Sequence, residues 1–208
     1  MRVLVGCERS RVVASAFERE GHEVLSADLE AARQPGRHYQ GDVFDVIDYP
    51  WDLGIFHFPC TDASVSGARH FEAKRQDGRF YASASLWLNG WRRAAHIPGV
   101  CFEHPVSVMS SLFRKPDQII HPWMFGDFET KATCLWLRGL PPLVPTYRTV
   151  GEACEAAGLP AGTKPADRIH KMAPSPERAE KRSVTYQGIA DAFASQWGRT
   201  AAPARLTA

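Results

Sequence analysis

Short, nearly unbroken apolar runs recur along this chain, and each stops at residues with chemistry to offer. Residues 2–5 lead into Gly6-Cys7-Glu8, HEVLSAD ends in Asp28, WDLGIFHF runs into Pro59-Cys60-Thr61, and GVCFEHP finishes in Glu103-His104-Pro105. Runs this continuous suit strands covered on both faces, as a parallel sheet requires. Helical patterns lie between them. Residues 9–21 place Val12, Val13, Ala16 and Phe17 at helical spacing and close on Gly21, and residues 80–95 do the same with Phe80, Ala84, Leu88 and Trp91. The alternation predicts βαβ units: an α/β fold with a mostly parallel sheet and helices on both faces. In such sheets ligands bind beyond the carboxyl ends of the strands. The four strand ends are therefore the candidate site.

The remainder is less regular. GDVFDV reads as a third strand region opened by Gly41-Asp42, and KATCLWLRGLPPL as a strand stopped by Pro141-Pro142. SVTYQGIADAFASQW reads as a closing helix. Residues 145–180, rich in proline and glycine, read as a loop-rich excursion, and the tail 199–208 as disordered. With 208 residues, 44% of them hydrophobic, the chain has enough apolar surface for one domain, here taken as 1–198. A net charge of +2 argues for no partner by itself, although Lys164, Arg168, Lys171, Arg178, Lys181 and Arg182 cluster. That cluster reads as a solvated face or as phosphate contact.

Five cysteines without paired spacing argue against a disulfide framework, and no spacing suggests a zinc site or any other metal. Cys7, Cys101 and Cys134 lie in strand-like runs, where free cysteine acts as a small hydrophobe. No leader pattern opens the chain and no apolar stretch is long enough to span a membrane, so a cytoplasmic location is expected.

Cys60 differs from the other cysteines because a small, polar segment, TDASVSGAR, follows it. A positive field there would lower the thiol pKa and raise its thiolate fraction. Glu103 ends the next buried strand, so thiol and carboxyl can face one pocket. Such a pair suits addition to an electron-poor ring, the acid serving the ring nitrogen that gathers charge. Asp28 stands where nucleotide-binding α/β proteins place an acid for ribose hydroxyls. Asp42 is a weaker candidate, for an adenine amino group.

These ordered motifs resemble the DNA cytosine-5 methyltransferases, especially the short phage-encoded proteins of that family. Pro59-Cys60 resembles the nucleophile motif and Glu103-His104-Pro105 the acid motif, while Asp77 and Arg79 resemble an acid-x-Arg step between them. ETKATCLWL resembles the Gln-x-Arg strand with Lys131 as its basic residue, and KRSVTYQGIADAFASQW resembles the last motif, with Ser183 near the methionine end of the cofactor. The likeness spans residues 1–198. It implies a Rossmann-like methyltransferase fold and S-adenosylmethionine held by Gly6, Cys7, Glu8, Asp28, Asp42, Pro59 and Ser183. It also implies catalysis by Cys60, Glu103 and Lys131, with Thr61, Ser66, Arg79 and His104 at the substrate. In the implied reaction Cys60 adds to cytosine C6, Glu103 serves N3, and C5 takes the methyl group from the cofactor, the base being flipped out if it lies in a duplex.

Three departures accompany the likeness. VGCERSR puts Arg9 and Arg11 where the family has small residues, which either point to solvent or bind an added negative charge, such as a carboxylated cofactor. His104 replaces an asparagine. Residues 145–180 replace a large target-recognition domain, which leaves DNA and a free cytosine nucleotide such as dCMP both open as substrate. A non-catalytic descendant that binds nucleotide or nucleic acid is the alternative of another class.

Overall fold

The computed structural model describes residues 1–173 and 175–199. Its strands are β1 (Arg2–Gly6), β2 (Glu23–Asp28), β3 (His38–Gln40), β4 (Leu53–Phe56), β5 (Gly99–Pro105), β6 (Gln118–Ile120) and β7 (Thr133–Arg138). They form one sheet in the order β3-β2-β1-β4-β5-β7-β6. The first five pair in parallel, and β7 lies antiparallel between β5 and β6. The fold is α/β with a mostly parallel, Rossmann-like sheet, and the strand order reverses direction between β1 and β4.

The helices are α1 (Val12–Arg19), α2 (Phe71–Gln76), α3 (Arg79–Arg93), α4 (Met109–Leu112), α5 (Val150–Ala156), α6 (Arg168–Lys171), α7 (Pro176–Ser183) and α8 (Gln187–Ala192). The last continues as a wider turn, Phe193–Trp197. Strand alternation sends Val3, Val5, Ile55 and Cys101 to one face, where α1 and the closing helix cover them through Phe17, Phe193 and Trp197. Leu4, Phe56 and Phe102 go to the other face, against Trp87 of α3 and Trp136. Trp87 stands edge-on to Phe102 and Trp136 at 4.9 and 5.4 Å between ring centres, an arrangement that favours aromatic rings beyond their buried area.

The third strand is not GDVFDV. It is His38–Gln40, and Asp42 instead caps a single tight turn, Val43–Asp45, by accepting from the Phe44 amide at 2.9 Å. The Asp side chain competes for local amides, which favours a turn over a ladder. The excursion 145–180 contains two short helices, α5 and α6, and the start of α7. Of the tail, residues 200–208 lie outside the described residues. Among the described residues no helix is long and apolar enough to cross a membrane.

Candidate functional site

β4 and β5 run side by side in parallel, with Phe56 level with Phe102. The next residue on each strand therefore points to the opposite face, and His57 meets Glu103 there. The His57 amide bonds the Gly6 carbonyl at 2.9 Å, which prolongs the β1–β4 pairing by one residue and fixes the imidazole's starting point. Nδ1 of His57 lies 2.9 Å from Oε2 of Glu103, and the two side chains are only 7% and 14% exposed. Nε2 of His57 is buried and has no hydrogen-bond partner among the described residues.

Burial alone would push the Glu103 carboxyl up. The hydrogen bond and charge of His57, helped by Lys131 and His104, more than reverse this and hold it below the usual carboxylate range. Burial disfavours the His57 cation, yet Glu103 and then Glu8 outweigh burial and raise its pKa, while Lys131 opposes them. The site thus carries a partly sealed histidine–carboxylate pair in which each group favours the charged form of the other. Sequence reasoning passed over His57 because it sits inside an apolar run, and only the strand pairing brings it to Glu103.

Cys60 follows two residues after Phe58, where the chain leaves the sheet, and is half-buried. Its carbonyl accepts from the amides of Ala63 and Ser64 at 3.1 and 2.9 Å, so a compact turn holds it. The thiol is not pre-activated. Burial and the Glu103 charge push it up, and Arg182 and Lys131 only partly offset them. The expected positive field exists, but burial of the sulfur, and after it the Glu103 charge, overrides it.

Lys131 approaches from just before β7. Its Nζ donates to the Arg182 carbonyl at 2.9 Å and stands 5.8 Å from the centre of the Tyr186 ring. Arg182 in turn donates to Ser66 Oγ at 3.1 Å. Together with Pro105 and Val106 these residues line a hollow of about 250 Å³. His104 is buried beside the Pro105 and Pro59 backbone, and burial holds its pKa down, so it is neutral near pH 7. It braces the Cys60 turn from β5.

A second cavity, of about 480 Å³, opens over the carboxyl ends of β1, β2 and β4, at the point where the strand order reverses. Five of the residues expected to hold a cofactor line it: Cys7, Glu8, Asp28, Pro59 and Ser183. His57 lines it too, so the same imidazole faces this cavity and bonds Glu103. The Asp28 carboxylate accepts from the Glu30 amide at 2.9 Å. α7 reaches across to this side through an ion pair between Glu180 and Arg33.

Several expected residues take other places. Gly6 is not among the cavity's lining residues; a Cβ there would lie 2.6 Å from the Phe56 ring and 2.8 Å from Val43, so packing demands the glycine. Cys7 is not inside a strand but just past one, with a left-handed φ of 59°. Asp42 caps its turn and does not line the cavity. Arg79 is exposed and paired with Asp77 at 2.6 Å, and lines neither cavity. Thr61 is exposed, and its carbonyl accepts from Lys74 at 2.7 Å.

Glu8 lines the cavity with its carboxylate already engaged. Its buried carboxylate accepts from the amides of Val13 and Ala14 at 2.7 and 3.1 Å and from Ser10 Oγ at 3.1 Å. Those amides are the first free donors of α1, so the helix end that would cradle a phosphate is already filled. Arg11 neither meets solvent nor waits for an anion. It is fully buried, bonded to Ser26 Oγ at 3.1 Å, to Glu18 and to the Pro35 carbonyl. Arg9 pairs with Glu30. In the basic stretch, Arg168 pairs with Glu129.

Compared with known proteins, the sequence matches no family model and no curated protein.

Proposed function

We propose that the protein is an enzyme that methylates C5 of cytosine through a covalent adduct on Cys60, with S-adenosylmethionine as methyl donor. The observation that carries the reading is the thiol of Cys60 within electrostatic reach of the Glu103 carboxylate, on neighbouring parallel strand ends. A module that only binds nucleotide has no use for that pair.

The cavity over β1, β2 and β4 fits the cofactor on two counts. Glu8 fills the amides that a dinucleotide's phosphates would need, and Asp28 offers a carboxylate for hydroxyl groups beside the Arg9–Glu30 and Arg33–Glu180 ion pairs that also line the cavity. Asp28 would hold ribose hydroxyls, and Ser183 with α7 would close over the opposite end. Bound there, the sulfonium supplies an electrophilic methyl.

Everything else falls to the chain. Cys60, having lost its proton to solvent, adds to C6; Glu103 serves N3 as electron density moves onto it; Lys131 and Arg182 draw the substrate's anionic part toward the Ser66 hollow. After methylation solvent water takes the C5 proton, the C5–C6 π bond re-forms, and the sulfur leaves C6 as the thiolate.

DNA is the substrate under the first reading. A second reading, a free cytosine nucleotide, is favoured by one observation: Arg168 of the basic stretch is engaged within the chain, to Glu129. A cytoplasmic setting suits the five unpaired thiols.

Incubation with methyl-labelled S-adenosylmethionine and either DNA or dCMP, followed by digestion, should put the label on 5-methylcytosine. Cys60→Ala should abolish it, and a 5-fluorocytosine substrate should trap a covalent adduct with the wild type alone. Label in neither substrate, or full turnover by Cys60→Ala, overturns the reading.

A further inference from the structure

We propose that His57 is a positioning residue that stores the proton delivered to the substrate ring, making the His57–Glu103 pair a one-proton acid that works at neutral pH. This rests on the adduct reading above. The geometry comes first: a 2.9 Å contact between two largely buried side chains that follow the level pair Phe56 and Phe102 on adjacent parallel strands. The charged and titratable groups facing the pair are Glu8 from beyond β1, Lys131 from before β7, His104 from β5 and Cys60 from the turn after β4. Burial and Lys131 disfavour the His57 cation, and the Glu103 contact together with Glu8 outweighs them, so the surroundings favour a proton on the pair.

A lone carboxyl is a poor acid at pH 7 because it has already lost its proton, with an ordinary pKa near 4.3. Paired with His57, an ionised Glu103 has a proton available one hydrogen bond away. The step then balances. The Cys60 sulfur forms its bond to C6, the C5–C6 π pair moves to C4–C5, and the C4–N3 π pair moves onto N3. N3 takes the proton from Glu103, and His57 passes its Nδ1 proton to the carboxylate in turn. Before the step the pair is neutral with one proton and the thiolate is anionic; afterwards His57 is neutral, Glu103 is anionic and the adduct is neutral. On expulsion of sulfur the N3 proton returns to the pair.

The test needs no methyl donor, since reversible addition of Cys60 exchanges the C5 hydrogen by itself. Exchange from C5-deuterated dCMP, and separately from a C5-deuterated cytosine in a single-stranded oligonucleotide, is followed against pH for wild type and His57→Gln. Because the thiol titrates above the acid, the rate should rise with pH until the acid loses its proton and then level off. In the wild type the levelling should come above the ordinary histidine value of about 6.5. In His57→Gln the remaining acid is Glu103, which burial raises and Lys131 lowers, so the levelling should come at least about one pH unit lower and the rate near pH 7.5 should fall at least about 10-fold while the profiles converge at acid pH.

His57→Asn serves if the glutamine variant does not fold. Independently, nitrogen NMR of the wild type should show His57 titrating above 6.5 and falling in Glu103→Gln. Superimposable profiles, or a His57 that titrates at or below 6.5, overturn the role of His57 alone. No exchange by the wild type at any pH overturns the adduct reading itself.

Discussion

Arg11 is where a structural and a ligand-binding reading separate most cleanly. Its guanidinium is fully buried and donates to Ser26, Glu18 and the Pro35 carbonyl, while its backbone sits in the left-handed region at φ 57°. In Arg11→Ala these bonds disappear, yet the losses are unequal. Ser26 Oγ keeps His38 at 2.8 Å, and Glu18 is one-third exposed, so water takes over there. The Pro35 carbonyl loses a charged donor, worth about 1.5–3 kcal/mol, and the vacated volume adds a packing loss. Together these come to about 3 kcal/mol. For a chain of this size that is a fall of about 6–12 °C in melting temperature. Arg11→Gly should recover about 1 kcal/mol of it, because glycine adopts the left-handed conformation without strain. The assay is thermal and urea unfolding of the three proteins, with S-adenosylmethionine affinity measured in parallel. An unchanged melting temperature in Arg11→Ala, or a defect confined to cofactor affinity, would refute the reasoning and return Arg11 to the role of anion ligand.

Alkali should weaken the fold. Burial pushes Cys7 up to about 12 and Cys134 up to about 11, whereas an unfolded thiol ionises near 8.5. Above that value the unfolded chain has shed protons that the folded chain keeps, so stability falls as pH rises, by roughly 1–2 kcal/mol per thiol at pH 10. Urea midpoints at pH 8 and pH 10 check this, and equal midpoints would contradict it. Gly6→Ala should lose about 1–3 kcal/mol through overpacking against Phe56 and Val43. A variant of normal stability with impaired cofactor binding would show instead that Gly6 lies against the ligand.

Much of the architecture could be read along the chain because parallel strands and their covering helices write their burial into local apolar patterns. The runs ending at Cys7, Asp28, Cys60 and Glu103 are β1, β2, β4 and β5, and the helix expected over 80–95 is α3, Arg79–Arg93. A short edge strand leaves little such pattern, which is why His38–Gln40 was displaced onto GDVFDV, where an Asp cap competes for the amides. The closeness of Cys60 and Glu103 was also foreseeable, since neighbouring parallel strands deliver their ends to one side of a sheet.

What each strand-end residue does there was decided by tertiary contacts. Glu8 reads as a ligand residue, and only the fold shows its carboxylate on the α1 amides; Arg11 reads as solvent-facing or anion-binding until it is found buried against Ser26 and Pro35. His57 carries no local signal at all: it becomes a partner for Glu103 only because Phe56 and Phe102 share a register. The sequence by itself determined the parallel strands β1, β2, β4 and β5 and the residues gathered at their carboxyl ends, because periodic burial is a local property. Only the folded chain decided which of those groups are charged, capped or paired, because a titratable side chain takes its state from neighbours that may stand anywhere in the sequence.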